Sequence, residues 1–492
     1  MQRFVCVHGH FYQPPREDPW TRKLPKEKSA SPFHDWNERI TSECYAPNLS
    51  SPLLDSRGKV IGRENNYSWI SFDFGPTLLR WLETKHPKVH DGIVEADRQS
   101  AERFGGHGSA MAQVYNHMIM PLASPRDRRR QVRWGIADFV RRFGRPPEGM
   151  WLSETAVDLD SLEALAENGI RFTILSPDQA SAVRNAGDEG WTDVSGGRVN
   201  PRRAYFCRLP SGKTIGLFFF DKGLSTNLAF GTAMDSGDAL ASALARGFVD
   251  DEELQLVNVA TDGETFGHHR RMGHASLTGC ISRMESTKQA ALTNYGLFLS
   301  TVPPRWEARI IEDTSWSCPH GVERWRSNCG CGSEIHPGFN QKWRTPLRNA
   351  MDWLAEQISQ VYEAEAARVF KDKEVAIDWL ATVRVENRKE LDKYIRENLK
   401  DRRAGPRGSE LIQMVESAEL MLASCAWFWE DIARIETRNM LRFSARAIEL
   451  ARDSGGPDLE REFRHRLFGA IPNDRRFKTG EELYVGLSKR SK

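Results

Sequence analysis

Five short apolar, β-rich runs, Phe4 to Val7, Met150 to Leu152, Phe172 to Leu175, Ile215 to Phe220 and Leu256 to Ala260, alternate with helical patterns over the first 260 residues. Such alternation favours parallel strands joined by helical crossovers. Between the second and third runs, Asp158 to Asn168 carries Leu and Ala at helical spacing and stops at Gly169, completing a βαβ unit. Polar residues fall directly after the runs: His8 and His10 after the first, Glu154 after the second, Asp262 after the last. In parallel barrels the carboxyl ends of the strands point into the site, so the three clusters predict one shared pocket.

A chain of 492 residues exceeds what one hydrophobic core normally fills, which predicts a large domain plus a smaller one. From about Gln341 the strand signal gives way to helical stretches, Arg344 to Phe370, Glu374 to Leu399 and Glu410 to Arg452, with Asp401 to Gly408 separating the last two. The division expected is a catalytic α/β barrel over 1–340 and a helical domain over 341–492. The polar stretch from Pro15 to Pro47 reads as a long barrel loop. With 69 basic and 67 acidic residues the net charge is +2, too small to steer nucleic acid or an anionic membrane. The Arg126 to Arg130 run reads as a solvated helix face. The amino-terminal segment passes directly into a polar motif without an apolar stretch suited to a signal peptide or membrane span, and eight cysteines are too few for a disulfide scaffold, so a cytoplasmic protein with reduced thiols is expected.

Glu154 and Asp262 form the strongest chemical constellation. Glycoside cleavage needs two carboxyl groups, one to protonate the departing oxygen and one to attack the anomeric carbon or activate water. Two acids at strand ends are ambiguous by themselves, because capping or surface roles explain an arbitrary pair as well.

The surrounding motifs narrow the choice. His8-Gly-His10-Phe-Tyr-Gln13-Pro14, Gly106-His107 with Tyr115-Asn-His117-Met-Ile-Met-Pro121, Gly149-Met-Trp151-Leu-Ser-Glu154, and Asp262-Gly-Glu264-Thr-Phe266-Gly267-His268 occur in that order. Together they resemble the motif set of glycoside hydrolase family 57, and the Thr314-Ser-Trp-Ser-Cys-Pro-His-Gly segment resembles a cysteine-rich subgroup of it. The resemblance implies an incomplete parallel (β/α)7 barrel followed by an α-helical domain. It implies a retaining hydrolase or transglycosylase acting on α-glucans or oligosaccharides. By the same resemblance Glu154 is the nucleophile and Asp262 the general acid/base, and His8, His10 and Trp151 face substrate; Gln13, His117 and His268 read as substrate contacts or orienters, Glu264 as orienting Asp262 or accepting local hydrogen bonds, and Trp316 as an aromatic platform for a sugar or as core packing. Two carboxylates supply acid and nucleophile without a Lewis acid, so no cofactor is expected.

His8 and His10 alternate along the end of a strand, so their side chains are expected to diverge unless a loop has begun. The pair suits sugar hydroxyls better than a metal. Cys318, His320, Cys329 and Cys331 could furnish a tetrahedral zinc shell, but their spacing is not that of a common finger, and free thiols lining a rigid substrate loop, or packed within it, are the preferred reading. Two further functions stay open: a metal-dependent deacetylase or mannosidase-like barrel, and a non-catalytic glucan-binding regulator.

Overall fold

The computed structural model describes residues 2–250, 254–332, 336–382 and 388–488. They gather into two compact units. The first comprises Met1–Gln13, Lys26–Val114 and Phe139–Trp316; the second comprises Pro14–Pro25, Tyr115–Asp138 and Ser317–Lys492. The division is therefore discontinuous, where the sequence suggested a single boundary after residue 340.

Seven strands of the first unit follow one another in chain order: β1 (Gln2–Phe11), β2 (Ser71–Phe74), β3 (Ala110–Gln113), β4 (Met150–Trp151), β5 (Phe172–Leu175), β6 (Thr214–Phe219) and β7 (Leu254–Asp262). Strand β1 pairs in parallel with β7 on one side and β2 on the other, and the ladder continues through β3 to β4. A parallel bridge between Gly149 and Phe172 carries it to β5, which pairs in parallel with β6. Among the described residues no ladder joins β6 to β7. Two hydrogen bonds span that gap, Asp221 N to Asn258 O at 2.8 Å and Asn258 Nδ2 to Phe219 O at 3.1 Å. The result is the incomplete parallel (β/α)7 barrel expected from the sequence.

Local chemistry accounts for these elements. Val5, Cys6 and Val7 are all buried, as in a parallel strand covered on both faces. The helix Leu159–Glu167 begins where the Asp158 carboxylate accepts from Ser161 N, and Gly169 lies just past its end at φ 82°. After β2, Gly75 and Pro76 end the strand and open the helix Pro76–Lys85, with proline in its first turn. The segment expected as a loop from Pro15 to Pro47 contains the short helix Trp36–Ile40, capped by Asp35, and a π turn over Thr41–Tyr45. Ala204–Arg208, Trp306–Ile310, Ala180–Asn185 and Thr192–Asp193 extend the sheet outward from β6. Inside the barrel, Met111, Trp151, Phe172, Ile174, Phe218 and Leu256 pack into one apolar cluster.

The second unit is helical. Gly405–Leu420 packs on Ile435–Asp453 and on Arg344–Val369, and Arg344–Val369 also packs on Glu460–Leu467. The helical stretch expected over Glu410 to Arg452 comprises two long helices with the short helix Cys425–Phe428 between them. The stretch from Glu374 to Leu399 is likewise divided into Lys373–Asp378, Trp379–Ala381 and Arg388–Asn398, and its residues 383–387 lie outside the described residues. The arginine run is not a solvated face: Arg128 and Arg130 are buried, and Arg130 Nη1 donates to Glu419 Oε1 at 2.7 Å. A paired partner makes that burial tolerable.

Gly263, between Asp262 and Glu264, tests how tightly the barrel fixes this turn. A Cβ there would stand 2.2 Å from Phe11 Cδ1. The Phe11 ring cannot retreat, being stacked on Phe74 at 4.5 Å and edge-on to Tyr67 at 5.4 Å. Gly263→Ala is expected to destabilise the fold by about 1–3 kcal/mol, the usual cost of overpacking. A lowered urea midpoint with an unchanged slope is the expected result, and an unaltered midpoint contradicts this packing.

Candidate active site

The register of three neighbouring strands sets a row of titratable groups at their carboxyl ends. His10 on β1 is the direct partner of Asp262 on β7 and of Asp73 on β2. Cross-strand partners in a parallel sheet face the same side. His8 shares that side, because side chains two residues apart on a strand point the same way. The expected divergence of His8 and His10 is thus corrected: β1 stays extended through Phe11, and both rings reach one carboxylate. His8 Nε2 lies 3.0 Å from Asp73 Oδ1, and His10 Nδ1 lies 2.8 Å from Asp73 Oδ2. Since an ionised carboxylate only accepts, both nitrogens carry the proton.

Burial opposes protonation of both histidines. At His10 the charge and hydrogen bond of Asp73, helped by Asp262 and Glu264, win, and its imidazole is pushed up to about 9. At His8 burial prevails over Asp73, so its proton affinity is lowered, and Ser71 Oγ stands 3.0 Å from its other nitrogen, Nδ1. Burial would raise Asp73, but the two histidines hold its carboxyl below the usual range. A neutral His8, an ionised Asp73 and a charged His10 follow at neutral pH.

Trp151 and Trp316 connect Glu154 to this row. Trp151 is fully buried, and its indole stacks with both His8 and His10 at 4.9 Å, so its faces serve the imidazoles. The half-buried Trp316 stands edge-on to Trp151 at 5.1 Å and to His10 at 6.4 Å. Its indole Nε1 donates to Glu154 Oε2 at 3.1 Å, and its backbone N to Glu154 O at 3.1 Å. Glu154 itself lies on the turn after β4 with φ 58°, followed by Thr155 with φ 50°. Two successive non-glycine residues in the left-handed region cost of order 1–3 kcal/mol each, strain that typically accompanies functional sites.

Asp262 is reachable by solvent at the end of β7, yet the protein enclosing it raises its proton affinity; His10 opposes and Asp73 adds to the shift. Glu264 is buried, where loss of solvation is the main cause of a carboxyl pushed up to about 7, with Asp262 contributing and the bond from Tyr45 opposing. Its Oε1 accepts from Tyr45 Oη at 2.6 Å and from Tyr12 N at 3.3 Å. The arrangement offers a carboxyl biased toward the acid form, an imidazolium beside it, and a second carboxylate oriented by an indole N–H.

The remaining residues are placed as follows. Gln13 is buried and donates to Tyr12 O at 2.9 Å. His268 bonds Glu43 through Nδ1 and meets the edge of Trp36. His117 belongs to the second unit, where its Nδ1 lies 2.6 Å from Ser424 Oγ in a backbone of φ 54°. Cys318, His320, Cys329 and Cys331 also belong to the second unit, and their donor atoms all lie within 4.8 Å of one another. Asp73 is the central residue that the sequence reading missed. Its signal was the alternation Ser71-Phe-Asp73-Phe before Gly-Pro, a strand of only four residues. Among the described residues, no helix is long and apolar enough to cross a membrane.

Residues 339–491 match a domain of unknown function, DUF3536. An alpha-amylase of Pyrococcus horikoshii is 22% identical over 330 residues, which are 65% of this chain and 44% of that protein. The chain spans less than half the length of the curated relatives it matches. An exo-type maltose-forming amylase from Pyrococcus sp. ST04 superposes with a TM-score of 0.71 at 16% identity, covering 94% of this chain and 82% of that one. A branching enzyme of Pyrococcus horikoshii superposes with a TM-score of 0.56 at 14% identity, covering 95% and 94%. Residues 5–304, more than half of the sequence and including all four barrel-borne groups His10, Asp73, Glu154 and Asp262, match the model of glycosyl hydrolase family 57, and the chain belongs to that family.

Proposed function

We propose that the protein is a retaining glycoside hydrolase or transglycosylase acting on α-glucans, with Glu154 as nucleophile and Asp262 as general acid/base. The observation that carries this reading is the register row Asp73, His10, Asp262 at the strand ends. Trp316 adds the link from that row to the Glu154 carboxylate. The matched amylases and branching enzyme support an α-glucan as substrate. The cysteine-rich segment from Thr314 supports membership of a cysteine-rich subgroup of the family.

In the first half-reaction Glu154 attacks the anomeric carbon as its bond to the leaving oxygen breaks, and the Asp262 proton passes to that oxygen. The raised proton affinity of Asp262 favours its holding this proton. In the second half-reaction ionised Asp262 takes a proton from water or from a sugar hydroxyl, and the oxygen so activated displaces Glu154. Water yields hydrolysis; a glucan hydroxyl yields transfer. His10, held charged by Asp73, steadies the anionic form of Asp262 between the two halves. His8, wholly buried, acts by fixing Asp73 and does not touch the sugar. Gln13, His268, Trp316 and Glu264 are the barrel residues assigned to substrate contact or orientation, and His117 is assigned the same role from its motif.

Glu154→Gln is expected to lower kcat on maltooligosaccharides by on the order of 10³-fold or more while their affinity, measured by calorimetry, persists. Azide added to Glu154→Gly with an activated α-glucoside should yield the β-glucosyl azide. Near-normal turnover in Glu154→Gln contradicts the assignment.

The pH profile tests the acid. Burial pushes the Glu264 carboxyl up to about 7 and the charge of Asp262 adds to the shift; repulsion between two carboxylates is mutual, so an ionised Glu264 favours the proton on the acid. Glu264→Gln removes that charge, so the alkaline limb of kcat/KM, along which the required proton on Asp262 is lost, should move to lower pH. Because the two carboxyls titrate together, the limb belongs to the pair. An unmoved limb would show that Glu264 does not couple to the acid.

A further inference from the structure

We propose that Cys318, His320, Cys329 and Cys331 bind a structural zinc ion within the helical unit. Cys318 Sγ lies 3.8 Å from Cys331 Sγ and 4.0 Å from Cys329 Sγ. His320 Nδ1 lies 3.4 Å from Cys331 Sγ and 4.0 Å from Cys318 Sγ. In a tetrahedral site with Zn–S of about 2.3 Å and Zn–N of about 2.0–2.1 Å, adjacent donors are separated by about 3.5–3.8 Å. Four of the six donor separations therefore already stand close to the edges of such a tetrahedron, and all lie within 4.8 Å. A disulfide would instead draw one pair of sulfurs to about 2.05 Å; here Cys318 is nearly equidistant from both other sulfurs.

The surrounding structure supplies a second, independent reason. Arg344 is fully buried at the start of the helix Arg344–Val369. Its Nη1 donates to Cys329 Sγ at 3.5 Å, and its Nη2 to Cys331 O at 2.8 Å and Trp429 O at 3.0 Å. Among the described residues no carboxylate is bonded to it. A buried guanidinium calls for a negative counter-charge. Three thiolates and a neutral imidazole around a divalent zinc carry one net negative charge, which Arg344 would balance while its N–H fixes a ligating sulfur, as partners beyond the ligands do in metal sites.

The chain between the two ligand pairs also needs such an anchor. From residue 317 to 332 the only regular element is the 3-10 turn Glu323–Trp325. Cys318 and His320 lie on a turn closed by Gly321 N to Cys318 O at 3.0 Å, and Cys329 and Cys331 flank Gly330 with φ 82°. The ion would tie both ends of this segment together, binding with release of the thiol protons and adding its binding free energy to folding.

The test is metal analysis of the full-length protein, purified under reducing conditions without chelator. About one zinc per chain is expected, as for a closed four-ligand site. Cys329→Ser should lose the metal, whereas His320→Cys, which keeps four ligands, should retain it. Cobalt loaded into the wild type should give the sulfur-to-metal charge-transfer absorption of a tetrahedral thiolate site, and Cys329→Ser should not. If Cys329→Ser fails to fold, the wild-type stoichiometry and the retained metal in His320→Cys still decide the matter. Folded wild-type protein with substoichiometric zinc, or with a disulfide found by mass spectrometry among these cysteines, overturns the proposal.

Discussion

Asp73 is wholly buried, and a buried carboxylate survives in the ionised state only when its lone pairs are taken up. His8 and His10 do this from one strand, at 3.0 and 2.8 Å. Breaking such a pair by removing one partner typically costs about 3–5 kcal/mol, because the other charge is left stranded. The same contact fixes the rotation of both imidazoles and so the surface against which Trp151 stacks. It keeps His10 charged one strand away from Asp262. Orientation of the aromatic wall and protonation of the proposed acid thus both lead back to one carboxylate.

The strain at Glu154 fits the same design. A carboxylate that attacks one carbon, the role proposed for Glu154, gains from a fixed position, and here the fixing comes from two bonds donated by one residue, Trp316 Nε1 to the side chain and Trp316 N to the carbonyl. The left-handed backbone at Glu154 and Thr155 is held by neighbours: Thr155 Oγ1 donates to Gln179 Oε1 at 2.8 Å, and Gln179 Nε2 donates back to Thr155 O at 2.8 Å. Gln179 in turn reaches Thr314 O at 3.1 Å, so the strand-end turn and the segment carrying Trp316 are braced by one side chain.

Much of the barrel was legible because β1, β5, β6 and β7 read as apolar runs and because chemistry follows β1, β4 and β7. Strands β2 and β3 did not, since four residues with polar members carry too little pattern to separate from a turn. With β2 went Asp73, and with Asp73 the partner that explains the histidine pair. The relation of His8 to His10 was misjudged although the two-residue period of a strand decides it. The arginine run reads as solvent-facing in the sequence because composition does not reveal that a glutamate nearly three hundred residues away, Glu419, meets Arg130. The cysteine cluster shows the same limit: Cys-x-His and Cys-x-Cys are visible in the chain, but their convergence and the buried Arg344 beside them exist only after folding.

The central claim is that Glu154 forms the covalent glycosyl-enzyme. It is tested most directly by treating the protein with a 5-fluoro-α-glucosyl fluoride, whose electron-poor ring slows both half-reactions while the reactive leaving group keeps the first of them fast, and locating the label by peptide mass spectrometry. The account predicts a single glycosyl ester on the peptide containing Glu154, lost again on incubation with an acceptor sugar. A label on any other carboxylate, or turnover of the natural glucan with inverted product and no label, would contradict it.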